Sequence, residues 1–228
     1  MFRARGSIVG NIPIPGTVDS HTINLLFFVI SLLMCGVLGG VFLSMGYTLA
    51  TTAYRPLRLE RHIVEWWWTV GPMFIVLLVA LPTLITLFWG ISASARPLIT
   101  VMAIGHQWYW EFQQTILGAI WTAESYTNVD SLEAGTARLM RSDSHFLWPS
   151  ACPLRLLVTS ADVVHNFNLK SLAISLDAVP GRCHSTVLTV GAPGVYTGLC
   201  SEVCGPGHYS IALVVEAIPL HDFIGFFE

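Results

Sequence analysis

The stretch GLCSEVCGPGHYSIAL, residues 198–213, sets Cys200, Cys204 and His208 in the pattern Cys-x3-Cys-x3-His. Donors of these types at such close spacing read as a metal-binding loop. Zinc is the first reading, because thiolate and imidazole both suit it. Structural zinc sites, however, commonly pair two Cys-x2-Cys knuckles, and no second pair occurs in the chain. Thiolate with imidazole suits copper equally well, and copper electron-transfer sites often add a weak thioether. At the end of the stretch stands Ile211, which has no lone pair to offer.

The surroundings of the loop follow from hydropathy. Only 11% of the 228 residues are charged, and Lys170 is the sole lysine. From Thr22 to Tyr54 no residue is charged, and the same holds from Trp66 to Ala95. Each run exceeds the roughly 20 apolar residues that cross about 30 Å of hydrocarbon as a helix. A water-soluble core helix would not stay apolar on every face for so long. The first run is also longer than the h-region of a cleaved signal, about 7–15 residues. The expectation is a transmembrane hairpin over residues 21–95, after a short N-terminal segment, 1–20. Pro72 and Pro82 in the second helix are tolerable in lipid where neighbouring helices re-satisfy the freed carbonyls.

Between the helices lies YRPLRLERHIVE, with Arg55, Arg58 and Arg61. From Arg96 onward there are six basic and eleven acidic residues, a net of minus five (six minus eleven). The positive-inside rule puts the basic loop on the matrix or cytoplasmic side and both termini on the other, against a small counterweight from Arg3 and Arg5.

Residues 96–228 read as a separate domain. LITVMAIGHQWYWEF, PLRLLVTS, STVLTV and SIALVVEAI are rich in β-branched and aromatic residues. Turn chemistry at 134–135, 179–182 and 191–194 punctuates them, which predicts a β-sandwich or Greek-key barrel. The alternation in Trp108-Tyr109-Trp110 predicts a strand with both tryptophans on one face. The stretch from Thr115 to Phe146 reads as polar and irregular. Cys35, Cys152 and Cys183 read as small apolar fillers or ordinary buried residues. His165, in TSADVVHNF, directly follows a predicted strand. An isolated histidine there is ordinarily structural, but with the cysteine loop it completes a cupredoxin-like donor set.

Taken together, GHQWYW (105–110), DVVHNF (162–167), DAVPGR (177–182) and CSEVCGPGH (200–208), behind two apolar helices and a basic loop, resemble subunit II of cytochrome c oxidase. The resemblance is to the mitochondrial, copper-containing type and runs along nearly the whole chain. It implies a helical hairpin followed by an all-β cupredoxin-like Greek-key barrel over 96–228. It also implies a dinuclear copper centre, CuA, bridged by Cys200 and Cys204, with His165 on one copper and His208 on the other. The backbone carbonyl of Glu202 would be a weak copper ligand, and its carboxylate would help bind magnesium at the interface with subunit I. The family's axial methionine is replaced by Ile211, which is not expected to ligate.

The same resemblance implies electron uptake from cytochrome c at Trp108, with Tyr109, Asp143 and Asp162 at docking positions. Ala161 stands where a second acidic residue is usual. Glu65 would lie at the entrance of a proton path in subunit I, whereas its plain reading is a helix-cap charge. Transfer onward to haem a of subunit I, the other subunits of the respiratory complex and the mitochondrial inner membrane complete the expectation. A quinol oxidase subunit II would lack the cysteines. A membrane-anchored copper carrier, or a structural subunit with an impaired copper site, remains the alternative in view of Ile211.

Overall fold

The computed structural model describes residues 15–51, 62–92, 96–116, 118–127 and 140–227, with side chains from 89 to 92 excepted. Arg3, Arg5, the interhelical arginines and the 134–135 turn lie outside these residues.

Two compact units are present: Thr22–Ser92, and Ala93–Glu228 together with the residues up to His21. The helices of the chain's first half are α1 (Val18–Ala50) and α2 (His62–Ser92). Thr17 caps α1 by accepting a hydrogen bond from the Ser20 N–H at 3.1 Å. At about 1.5 Å per residue, each helix is longer than the hydrocarbon layer is thick. Phe28, Leu43, Trp67, Phe74 and Leu77 are all exposed, as suits a lipid solvent. The helices bond their own hydroxyls inward: Thr48 donates to the Met45 carbonyl, and Thr69 to that of Glu65. Beside Pro82, which has no N–H to give, the Thr83 hydroxyl donates to Val79 at 2.7 Å. The chain is thus anchored by two helices long and apolar enough to cross a membrane.

The second unit is a sandwich. One sheet has the order β3 (Ala119–Ser125), β2 (Tyr109–Ile116), β1 (Ile99–His106), β5 (Pro153–Ser160), β8 (His184–Thr189). The other runs β4 (Phe146–Ser150), β10 (Ala212–Pro219), β9 (Gly194–Cys200), β6 (His165–Leu169), β7 (Ile174–Ala178). The pairs β1/β5 and β4/β10 are parallel, and the chain crosses repeatedly between the two sheets. Aromatic rings join the layers. Phe112 of β2 stacks on Phe146 of β4 at 4.0 Å, and Trp110 meets Phe167 of β6 edge-on at 5.3 Å. Each such fully buried ring contributes about 1.5–3 kcal/mol. Gly16 ties residues before α1 to this unit, donating to the Ser171 carbonyl and accepting from the Gly191 N–H.

Two local expectations are corrected. The run from 98 to 112 is not one strand: β1 and β2 form a hairpin with Gln107 and Trp108 as its turn and His106 opposite Tyr109. Trp108 therefore does not share a strand face with Trp110. Trp110 is fully buried, whereas Trp108 is 39% exposed. The physical cause is a change of phase: Val101 and Ala103 point inward before the turn, Trp110 and Phe112 after it. Second, the expected irregular stretch contains β3, paired with β2, and Gly118 just before β3 has φ +82°. Glycine takes that conformation without steric cost. After β10 a short helix, α3 (Leu220–Phe227), buries Phe223.

Candidate metal centre

Pairing of β6 with β9 builds one half of the centre. Phe167 lies opposite Cys200, and His165 is two residues from Phe167, so all three side chains share a face. His165 is completely buried and Cys200 nearly so, with Nδ1 of the ring 3.9 Å from Cys200 Sγ. Gly105 makes room for this ring, because a Cβ there would come within 2.8 Å of His165 Cδ2.

The other half comes from the loop after β9. Cys204 is buried, and its Sγ lies 3.6 Å from Nδ1 of His208, which begins a short 3-10 turn, His208–Ser210. The donor atoms of His165, Cys200 and Cys204 all fall within 4.8 Å of one another. His208 joins them through Cys204. The Cys200 thiol is 3.4 Å from the Glu202 carbonyl, while the Glu202 side chain is exposed. Ile211 is 1% exposed, packed among core residues that include both cysteines, and accepts a backbone hydrogen bond from Cys200 N at 3.1 Å. It presents hydrocarbon to the site and no donor.

Electrostatics favour a cation here. Burial raises the Cys200 thiol, but hydrogen bonding to His165 and to the Asn166 backbone outweighs it and brings the value down to about 7. Burial and the neighbouring Cys200 thiolate push Cys204 up to about 12. One thiolate thus forms readily, and the second resists until positive charge arrives between them. Burial lowers His165, yet the Cys200 and Asp162 contacts more than compensate and hold it above its ordinary value. Two buried thiols and a buried imidazole converging, with the half-buried His208 imidazole against Cys204, fit soft metal ions such as copper.

The remaining sequence-predicted residues are dispersed. Asp162 is not simply a surface charge: its carboxylate accepts from Gln107 N (2.6 Å) and Val163 N (2.6 Å) and faces His165 Nε2 at 2.9 Å. Burial alone would raise it, but these bonds hold it below the usual carboxylate range. Its value to the site as an anchor was not visible in the sequence. Asp143 accepts from Tyr126 N and Ser144 N, beside the antiparallel bridge of Thr127 with Ser142. Tyr109 is stacked between His106 and Tyr126, each at 4.5 Å. Trp108 lies over the metal loop, since a Cβ on Gly207 would come within 2.4 Å of its indole. Ala161 is exposed. Glu65 is in the first turn of α2, 3.6 Å from His62, in the other unit. Gln107, which bonds the Cys204 carbonyl and Asp162, was missed.

The family model for the periplasmic domain of cytochrome c oxidase subunit II matches residues 99–218. Among solved structures, the periplasmic domain of cytochrome oxidase subunit II (CoxB) of Bradyrhizobium japonicum is 29% identical, with a TM-score of 0.53. That match covers 58% of this chain and 92% of the other. A mixed disulfide of a thioredoxin-like protein with subunit II of cytochrome c oxidase matches at 28% identity and TM-score 0.50, covering 58% and 90%. With two membrane-length helices ahead of a cupredoxin-like domain, this chain belongs to the cytochrome c oxidase subunit II family.

Proposed function

We propose that this chain is the electron-accepting subunit of a respiratory cytochrome c oxidase. It takes electrons from reduced cytochrome c and delivers them to haem a of subunit I, where oxygen is reduced to water and protons are pumped. The observation that carries this reading is the convergence of the buried His165, Cys200 and Cys204, with the half-buried His208 against Cys204. His165, Cys200, Cys204, His208 and the Glu202 carbonyl would hold a dinuclear copper centre, CuA. Bound there, a copper pair supplies a one-electron site shared between two metals, and the rigid sandwich limits ligand movement. The exposed carboxylate of Glu202 has the hard oxygen chemistry that magnesium prefers, at the boundary with subunit I.

Trp108 is the proposed point of electron uptake, being exposed yet packed against the loop glycines. The net charge of minus five from Arg96 onward (eleven acidic, six basic) would steer a basic partner, with Tyr109, Asp143 and Asp162 near the docking face. A Trp108→Phe chain should keep its metal content but oxidise cytochrome c more slowly; an unchanged rate would remove Trp108 from the route. Glu65 would serve the proton path of subunit I, where a carboxyl at a membrane interface is apt. Normal turnover of an assembled Glu65→Ala enzyme would refute that role. The basic interhelical loop favours a topology with the β domain on the outer side of the membrane, which in the mitochondrial inner membrane of the proposed oxidase is the intermembrane space.

The decisive test is a metal count and electron paramagnetic resonance (EPR) spectrum of the full chain in detergent. Two coppers sharing one unpaired electron are expected, and one copper, or zinc alone, would overturn the proposal. A second reading, an anchored copper-carrying or structural subunit with an impaired centre, is favoured only by the hydrocarbon of Ile211 at the site.

A further inference from the structure

Gln107 occupies the turn between β1 and β2, in one sheet, yet its bonds go to segments attached to the other. Its side-chain Nε2 donates to the Cys204 carbonyl at 2.7 Å. Its backbone N–H donates to Asp162 Oδ2 at 2.6 Å, and Oδ1 of the same carboxylate faces His165 Nε2 at 2.9 Å. We propose, resting on the copper reading above, that Gln107 is a positioning residue that anchors the Cys204 loop and the Asp162–His165 pair to one point.

Each half of this arrangement has a physical reason. Cys200 is fixed by the β9 ladder, but Cys204 lies beyond the strand, in a segment without regular structure. A loop of this kind loses conformational entropy when a metal orders it. The amide of Gln107 supplies that order beforehand. Gly205 permits the approach: its φ is +125°, and a Cβ there would stand 3.2 Å from Gln107 Nε2. On the histidine side, an Nε2–H donated to Asp162 leaves the Nδ1 lone pair toward Cys200. Outer partners of this kind set ring orientation and tautomer. Because one turn residue holds both partners, movement of the hairpin would shift a thiolate and an imidazole together.

The side chain of Gln107 is exposed, so removing its amide opens no core cavity. Gln107→Leu keeps comparable volume and the backbone N–H but deletes the donor to Cys204. Gln107→Glu replaces that donor with an acceptor facing a carbonyl. In the full chain in detergent, both variants should lose about 10–100-fold in copper affinity against a competing chelator. Their copper EPR signal should change, while thermal unfolding of the metal-free chain stays close to that of the wild type. Combining Gln107→Leu with Asp162→Asn should cost less than the sum of the two single effects if both act on one constellation. Wild-type affinity and spectrum in both Gln107 variants would sink this inference alone. A wild-type chain that binds no copper would sink it together with the proposed function.

Discussion

Replacing Cys204 with serine should reduce the copper content from the proposed two per chain to one at most. Copper affinity should fall by more than the roughly 100-fold that loss of an outer-shell partner costs. Serine is nearly the same size, so packing survives, and the Gln107 bond to the backbone carbonyl at 204 does not depend on the side chain. Its hydroxyl, however, stays protonated at neutral pH and is too hard and too weak a donor to bridge two soft ions. The folded chain would lose only about 1–3 kcal/mol through a buried hydroxyl without a good partner. The loss of metal therefore outweighs the loss of stability. Elemental analysis and EPR of the oxidised full chain decide the matter. Two coppers with a shared-electron spectrum in the Cys204→Ser protein would refute the bridging role.

The second large effect is acid sensitivity of copper loading. Bound ligands must be deprotonated, so protons compete with the metal and affinity falls as pH falls. Above about 7, Cys200 already arrives as thiolate and Cys204, held up at about 12, is the group that must release a proton. There, affinity should change by about tenfold per pH unit. Below about 7 both thiols are protonated, and the slope should steepen to about a hundredfold per unit. His165, held above its ordinary value by Cys200 and Asp162, adds to the steepening. Between pH 7 and 5 the loss would be about 10⁴-fold or more. Chelator competition at fixed ionic strength measures it. A flat profile, or tighter binding in acid, would contradict the two-thiolate site. The Cys204→Ser chain should show the shallower dependence of a single thiolate.

Much of the chain could be read before its structure. The two helices were legible because a charge-free run longer than a bilayer is thick has few other uses. Cys200, Cys204 and His208 were legible because they are close in sequence. His165 was reachable because a predicted strand ended just before it. The turn at Gln107–Trp108 was hidden: it lacks the glycine, asparagine or aspartate that usually marks a two-residue hairpin. Its trace was the phase shift from Ala103 to Trp110, both buried, at odd and then even positions. Gly118 was a plainer signal for the β2–β3 turn and was passed over.

Asp162 marks the limit most clearly. In the sequence it is one acid among eleven after Arg96, suited to surface steering. In the fold, hydrogen-bond partners from two segments turn it into the support of His165. Composition and local spacing determined the two membrane-length helices, the β-rich domain and the candidate soft donors, because each depends on residues near one another along the chain. The distances between those donors, and the bonds of Gln107 to Cys204 and Asp162, were decided only when two sheets brought together segments about 55 to 97 residues apart. Hydrogen bonds of that kind depend on angles and register, which residue types do not encode.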